Sequence, residues 1–120
     1  MVRKFDAIRT KYSRAVQIWQ ILIGLAHNRQ TTTYGMLGKQ IGFEGVGIIG
    51  QFLDPIMRYC KANNLPPLTI VVVNETTGSP GEGLVTLANE NLDREAVFHY
   101  DWYNLYPPGE NDFAALFPKS

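Results

Sequence analysis

The sequence predicts a single α+β domain in which three or four helices precede a β-hairpin and a short aromatic C-terminal segment. Apolar residues recur at helical spacing in the first half of the chain, and a β-branched run with a glycine-rich loop follows them. The 120 residues are 45% hydrophobic and 12% aromatic, which is enough for one packed core and excludes a disordered chain. The single cysteine excludes an intramolecular disulfide bond.

The first helix is predicted from a stripe of apolar residues spaced alternately by three and four positions. The stripe consists of Phe5, Ile8, Tyr12, Ala15, Trp19, Leu22 and Ala26. Ser13 can cap a shorter helix, so residues 1–12 are either an extension of this helix or a basic arm. Arg9, Lys11 and Arg14 fall off the stripe, and we expect them to face water.

A second helix is predicted over residues 34–41, within a helical part of the domain that spans residues 13–63. The hydroxyls of Thr31, Thr32 and Thr33 offer an N-cap, and Gly42 can end the helix. Tyr34 stands in the first turn, where the backbone N–H groups and the helix dipole attract anions. Its ring or its N–H can meet a phosphate, or the ring can pack on Trp19.

A third helix is predicted over residues 45–53, with Val46, Ile49 and Leu53 facing inward. Three glycines in this segment lower its helix propensity by up to about 1 kcal/mol each, and such glycines are typical of places where another backbone comes close. Asp54 and Pro55 are typical of an N-cap and a first helical position, so the chain either kinks there or starts a new helix.

Residues 64–87 are predicted to form a strand-loop-strand wing. The β-branched run at residues 68–73 predicts a buried strand, residues 74–83 a turn-forming loop, and residues 84–87 a strand that pairs back.

Residues 88–120 are predicted to be an acidic, aromatic C-terminal segment with a short helix over residues 93–103 and a last turn at residues 113–117. Its aromatic side chains can form either a stacking surface for single-stranded nucleic acid or a lid on the core. The acids interleaved with them oppose a phosphate backbone and therefore favour the lid.

The formal net charge of zero is an average over two opposite halves. Residues 1–61 hold nine lysines and arginines against three acids, a net charge of +6. Residues 62–120 hold two basic residues against eight acids, a net charge of −6. This asymmetry indicates either an anionic partner for the basic half or attraction between the two halves within the fold.

The sequence does not predict an enzyme. Nucleophilic catalysis needs a base beside the nucleophile, and Cys60 has none near it in sequence, so we expect a buried, unreactive thiol. His99 and Asp101 are too few for a metal site. The glycine-rich loop at residues 77–83 lacks the lysine and the following helix of a phosphate-binding loop. No catalytic residue, cofactor or metal is predicted.

Three helices followed by a hairpin form the order of a winged helix-turn-helix, in which the third helix enters a DNA groove. Residues 17–83 also resemble the C-terminal domain of alkylguanine-DNA alkyltransferases and alkyltransferase-like proteins. The similar motifs are Thr33-Tyr34-Gly35, Val46-Gly47-Ile48-Ile49-Gly50, Asp54-Pro55, the run 66–72 and the glycine loop 78–83. The resemblance implies a winged-helix DNA-binding domain.

The resemblance does not extend to alkyl transfer. Pro67, Leu68 and Thr69 stand where that family has the alkyl-accepting cysteine, its histidine and an arginine. The arginine that props open the duplex after base flipping has no counterpart in residues 46–50, and Asp54 replaces an asparagine. The resemblance therefore implies DNA binding without alkyl-group acceptance or base flipping.

The predicted function is that of a small, non-enzymatic DNA-binding protein with little sequence specificity. The predicted DNA contacts are Thr33, Tyr34, Lys39, Gln40, Gln51, Arg58 and Lys61. The sequence has no apolar run of the roughly 18 residues that a membrane span needs and no apolar signal core. We therefore expect a cytoplasmic protein without a membrane partner.

The alternative is a protein-interaction module, either an adaptor or a phage or mobile-element inhibitor of a host protein. It would act through the acidic aromatic half, on another protein or on a second copy of the chain. The positions of the acids discriminate between the two hypotheses, because acids over the Tyr34 face exclude DNA there. The acids in question are Glu75, Glu82, Glu90, Asp93 and Glu95.

Overall fold

The computed structural model describes residues 1–5, 10–76 and 89–118, and within them it is a mostly helical α+β domain. The elements in chain order are α1 (Lys11–His27), β1 (Thr32–Thr33), α2 (Tyr34–Ile41), α3 (Val46–Ala62), β2 (Val72–Val73), α4 (Glu90–His99) and α5 (Glu110–Ala114). Two 3-10 turns, Leu68–Val71 and Trp102–Asn104, complete the described structure. The α+β class is therefore confirmed.

Helix α1 begins before Ser13 because a different residue caps it. The hydroxyl of Thr10 accepts a hydrogen bond from the backbone N–H of Ser13 at 3.1 Å, which makes Thr10 the N-cap. Four members of the predicted apolar stripe are buried, namely Ala15, Trp19, Leu22 and Ala26, and Ile18 beside them is buried as well. Ile8 and Arg9 lie outside the described residues.

The prediction that Arg14 faces water is wrong. Arg14 is only 4% exposed, and its guanidinium lies 4.6 Å from the centre of the Phe43 ring. One terminal nitrogen donates to Oε1 of Gln17 at 2.9 Å, whereas Nε has no hydrogen-bond partner among the described residues. A flat and weakly hydrated guanidinium can pack on an aromatic ring in this way, which a helical spacing pattern does not reveal.

Helix α2 has the predicted bounds. The Thr33 hydroxyl accepts from the Met36 N–H at 3.1 Å, and Gly42 ends the helix in the left-handed conformation at φ +84°. Leu37 and Ile41 are buried, as the spacing predicts.

Helix α3 is continuous through Pro55 and does not restart at Asp54. Its apolar face continues on both sides of the proline, and packing of that face against α1 holds the helix together. The buried residues of this face are Ile49, Phe52, Leu53, Ile56 and Cys60. Val46 was predicted to face inward but is 60% exposed, because the first turn of α3 projects beyond the core.

The predicted strand at residues 68–73 is mostly a 3-10 turn. Within this run only Val72–Val73 forms a strand, and it pairs in parallel with Thr32–Thr33. A fully buried apolar run has the same sequence pattern in either conformation, so the pattern could not distinguish them. The predicted return strand at residues 84–87 and the loop residues 77–83 lie outside the described residues.

Trp19 lies at the centre of the core and joins α1 to α3 and to the C-terminal segment. Its ring contacts those of Tyr59, Trp102 and Phe113, with centroid distances of 5.5, 5.7 and 6.3 Å. Trp102 and Phe113 are buried, so part of the aromatic C-terminal segment covers the core as predicted. Two of its tyrosines, Tyr103 and Tyr106, are exposed. Within the described residues, no helix combines the length and the apolar character needed to cross a lipid bilayer.

Candidate functional site

Helices α2 and α3 are joined by a turn of four residues, 42–45, that needs two glycines. Gly42 and Gly45 have φ angles of +84° and +98°, in the left-handed region that disfavours other residues. Phe43, between them, packs its ring edge-on against Phe52 of α3 at 5.0 Å. A short, glycine-containing turn between two helices occurs in αα-hairpins as well as in helix-turn-helix units.

Three of the predicted contact residues lie on one exposed stripe of α3. Gln51, Arg58 and Lys61 are all exposed, and α3 is continuous between them. The stripe follows the helical spacing of four, three, four and three positions through Gly47, Gln51, Asp54, Arg58 and Lys61. We call these five residues the outer stripe of α3. The fold thus gathers an amide, two cations and the carboxylate of Asp54 on one side of the helix that follows the turn.

Lys39 and Gln40 lie in the last turn of α2, just before the connecting turn, and both are exposed. A cation in this position is favoured by the partial negative charge at a helix C-terminus. Among the described residues, no carboxylate lies within ion-pair distance of Lys39 or Lys61. These two ammonium groups are therefore available to an anionic partner.

The start of α2 is occupied by a carboxylate of the same chain. Thr33 donates a hydrogen bond to Oε1 of Glu75 at 3.3 Å. The parallel register explains this contact: Thr33 pairs with Val73, so Glu75 lies two residues farther along, beside Gly35. A Cβ at Gly35 would collide with the Glu75 carboxylate, so glycine permits this approach. The predicted phosphate position at Thr33 and Tyr34 thus already holds an anion.

The outer side of α3 carries two glycines that the fold itself does not require. A Cβ added at Gly47 or Gly50 would meet no atom of the described structure within 4 Å, and neither residue has a positive φ. Glycine inside a helix costs about 1 kcal/mol relative to alanine. Neither crowding nor backbone geometry therefore explains these two glycines. Because they lack side chains, the surface of α3 has open space at and beside the outer stripe.

The remaining acids named in the sequence lie elsewhere. Glu90, Asp93 and Glu95 belong to α4, which packs against α1 and the 3-10 turn Leu68–Val71. The Arg29 guanidinium reaches Glu95 at 2.7 Å, and this hydrogen bond lowers the pKa of the Glu95 carboxyl below its usual value. Glu82 lies outside the described residues.

The described part of the structure holds neither a reactive thiol nor a cluster of metal ligands. Cys60 is buried, and burial raises the pKa of its thiol to about 11, which keeps it protonated and unreactive at neutral pH. Across residues 1–5, 10–76 and 89–118, no group of three or more histidine, cysteine, aspartate and glutamate side chains is placed to hold a metal ion.

The sequence predicted three residues of the outer stripe, and it named Glu75 among five acids that could lie over the Tyr34 face without showing which of them does. Helical spacing alone places Gln51, Arg58 and Lys61 on one face, whereas the position of Glu75 depends on strand pairing between distant segments.

Comparison with family models, curated proteins and solved structures found no match to this chain.

Proposed function

We propose that the chain is a small, non-enzymatic DNA-binding protein whose outer stripe of α3 faces the duplex. The observation that carries this proposal is the common exposed face of Gln51, Arg58 and Lys61 on the helix that follows the turn. In helix-turn-helix proteins, the second helix of the unit enters the major groove. Lys39 and Gln40 of α2 extend the contact on the other side of the turn.

The two open glycines support a close approach of α3 to DNA. Without side chains at Gly47 and Gly50, the helix can approach a sugar-phosphate backbone more closely than one with larger residues. Phosphate contacts set the position of the protein, whereas base edges are read by side chains such as glutamine, arginine and lysine. Because the proposal assigns Arg58 and Lys61 to phosphates and leaves Gln51 to read base edges, it includes weak sequence specificity.

The proposal also includes a winged-helix arrangement of the domain. Helix α3 corresponds to the third helix of that arrangement, and β2 lies within residues 64–87, the segment proposed as the wing. A wing at this position would contact the DNA backbone beside the groove helix. A cytoplasmic location is likewise part of the proposal.

Fluorescence anisotropy with a labelled, mixed-sequence duplex at low salt tests the proposal. We expect a Kd below about 100 μM, the weak end of non-specific affinities. Lys61→Ala should weaken binding and make the slope of log K against log salt shallower by about 0.9. Arg94→Ala, which removes the same charge from α4, is the matched control. Absence of binding at 100 μM, or equal effects of the two variants, would overturn the proposal.

A second candidate function is docking of a protein on the C-terminal segment. Tyr106 is 96% exposed, and Tyr103 lies edge-on to His27 at 5.2 Å on the surface. Tyrosine is enriched in protein interfaces. Sedimentation equilibrium tests docking of a second copy: wild type should dimerise and Tyr106→Ala should not. If the wild-type protein is monomeric at concentrations up to about 200 μM, docking of a second copy is excluded.

A further inference from the structure

Two cations from different helices converge on the ring of Phe117, next to the outer stripe of α3. Nζ of Lys11 lies 3.9 Å from the ring centroid, and Cζ of Arg58 lies 4.2 Å from it. The two charges are therefore no more than about 8 Å apart. Tyr12 packs edge-on against the same ring at 5.4 Å, which fixes the ring against α1.

This pair of cations is only partly neutralised. Asp54 accepts from Nε of Arg58 at 3.0 Å, through one of the three guanidinium nitrogens. No carboxylate of the described residues lies within 4.0 Å of the Lys11 ammonium. At this end of α1, Glu110 accepts a hydrogen bond from the hydroxyl of Thr10 at 3.1 Å rather than from the Lys11 ammonium.

The placement of Lys11 is unfavourable for the isolated fold. It is the first residue of α1, whose first turn has the sequence Lys-Tyr-Ser-Arg and so carries two cations and no acid. The N-terminus of a helix bears partial positive charge, and a cation there is destabilising. Arg14, in the same turn, is buried without an ion-pair partner among the described residues. An external anion would compensate this concentration of positive charge.

We propose that Lys11 and Arg58 bind neighbouring phosphates of one DNA strand and that Phe117 is the residue that positions both cations. This inference rests on the proposed function and deepens it, because it extends the DNA contact from the outer stripe of α3 to the first turn of α1. The guanidinium keeps donors free for phosphate oxygens, and the ammonium adds a point charge beside them. Lys11 was not among the contacts predicted from sequence.

Substitutions of Phe117 test its positioning of the two cations without changing the charges of Lys11 and Arg58. Phe117→Leu keeps an apolar side chain and leaves the net charge unchanged, but it removes the aromatic face that orients the two cations. We expect the Kd for DNA to rise about three- to tenfold in this variant, whereas Phe117→Trp should restore the wild-type value. Thermal unfolding of both variants shows whether the C-terminal segment still packs.

The decisive experiment measures the salt dependence of DNA binding for wild type, Lys11→Gln, Lys61→Ala and Arg94→Ala. If Lys11 neutralises one phosphate, Lys11→Gln should make the slope of log K against log salt shallower by about 0.9. If Lys61→Ala weakens binding but Lys11→Gln matches Arg94→Ala, the inference is overturned and the proposed function stands. If wild type does not bind DNA, both fail. If Phe117→Leu binds like wild type while remaining folded, the positioning role of Phe117 is wrong.

Discussion

The hydroxyl of Thr33 donates to the carboxylate of Glu75 across 3.3 Å at the start of α2. The two residues are 42 positions apart and meet because β1 and β2 pair in parallel, with Thr33 opposite Val73. The N-terminus of a helix attracts anions, and here the chain supplies one itself. Any phosphate that approached Thr33 or Tyr34 would have to displace this carboxylate.

Glu75→Gln is therefore expected to strengthen DNA binding, by about threefold at low salt, because it removes a competing negative charge at the start of α2. The matched control is Glu44→Gln, which removes the same charge from the turn between α2 and α3. Anisotropy titrations of both variants measure the difference between the two positions. Equal gains would show that the effect is one of net charge, and the position of Glu75 would then have no special role.

Gly47→Ala and Gly50→Ala should each stabilise the fold and weaken DNA binding. An alanine at either position meets no atom of the described structure within 4 Å, so crowding there does not offset the gain in helix propensity, about 0.5–1 kcal/mol in the free energy of unfolding. The added methyl groups would hold α3 away from the DNA. Urea unfolding and anisotropy measure the two effects on the same samples.

A control for these variants is Gly38→Ala, in the buried side of α2. A Cβ at Gly38 would lie 2.6 Å from the backbone oxygen of Phe43, so this substitution should destabilise the protein. If Gly47→Ala and Gly50→Ala raise stability and leave the Kd unchanged, the close approach of α3 to DNA is contradicted.

Local patterns in the sequence predict the helices well, but contacts between distant segments escape them. The apolar spacing predicts the buried face of α1, and the same reasoning places Gln51, Arg58 and Lys61 on one side of α3. The burial of Arg14 depends on Phe43, which comes from another element. The position of Glu75 depends in the same way on the pairing of β1 with β2.

In a fully buried run, the sequence pattern does not distinguish an extended strand from a 3-10 turn. All four residues of Leu68–Val71 are buried, so the run shows neither the alternation of a half-exposed strand nor the spacing of a helix. Pro66 and Pro67 precede it, and they lack the backbone N–H groups that a sheet would use. The chain therefore enters the sheet only at Val72.

Two substitutions of Arg14 should distinguish what its packing and its charge each contribute to the free energy of unfolding. Arg14→Lys loses the flat contact with the Phe43 ring, and a strongly hydrated ammonium is costlier to bury, so we expect a loss of about 2 kcal/mol in the free energy of unfolding. Arg14→Met keeps the length and removes the charge, including the Nε group that lacks a partner among the described residues, and should cost less. Urea unfolding ranks the variants; a methionine variant less stable than the lysine variant would contradict this explanation.

The buried thiol of Cys60 should make the stability of the protein fall at alkaline pH. Burial raises its pKa to about 11 in the folded chain, whereas an exposed thiol titrates near pH 8.5. Between these values the unfolded chain releases a proton that the folded chain retains, so the free energy of unfolding decreases as pH rises. The limiting slope from this single group is about 1.4 kcal/mol per pH unit.

Other groups titrate in the same range, so the contribution of Cys60 is read from a comparison with Cys60→Ala. Urea unfolding of both proteins between pH 8.5 and 11 should give a steeper loss of stability for wild type, whatever the difference between them at pH 7. The contributions of the lysines and of the tyrosines away from Cys60 are common to both proteins and cancel in the difference between the two slopes. The charge on Cys60 also raises the pKa of Tyr59, and this effect is part of the measured difference. Parallel pH profiles would mean that the thiol titrates at its ordinary pKa and that Cys60 is not shielded as the structure indicates.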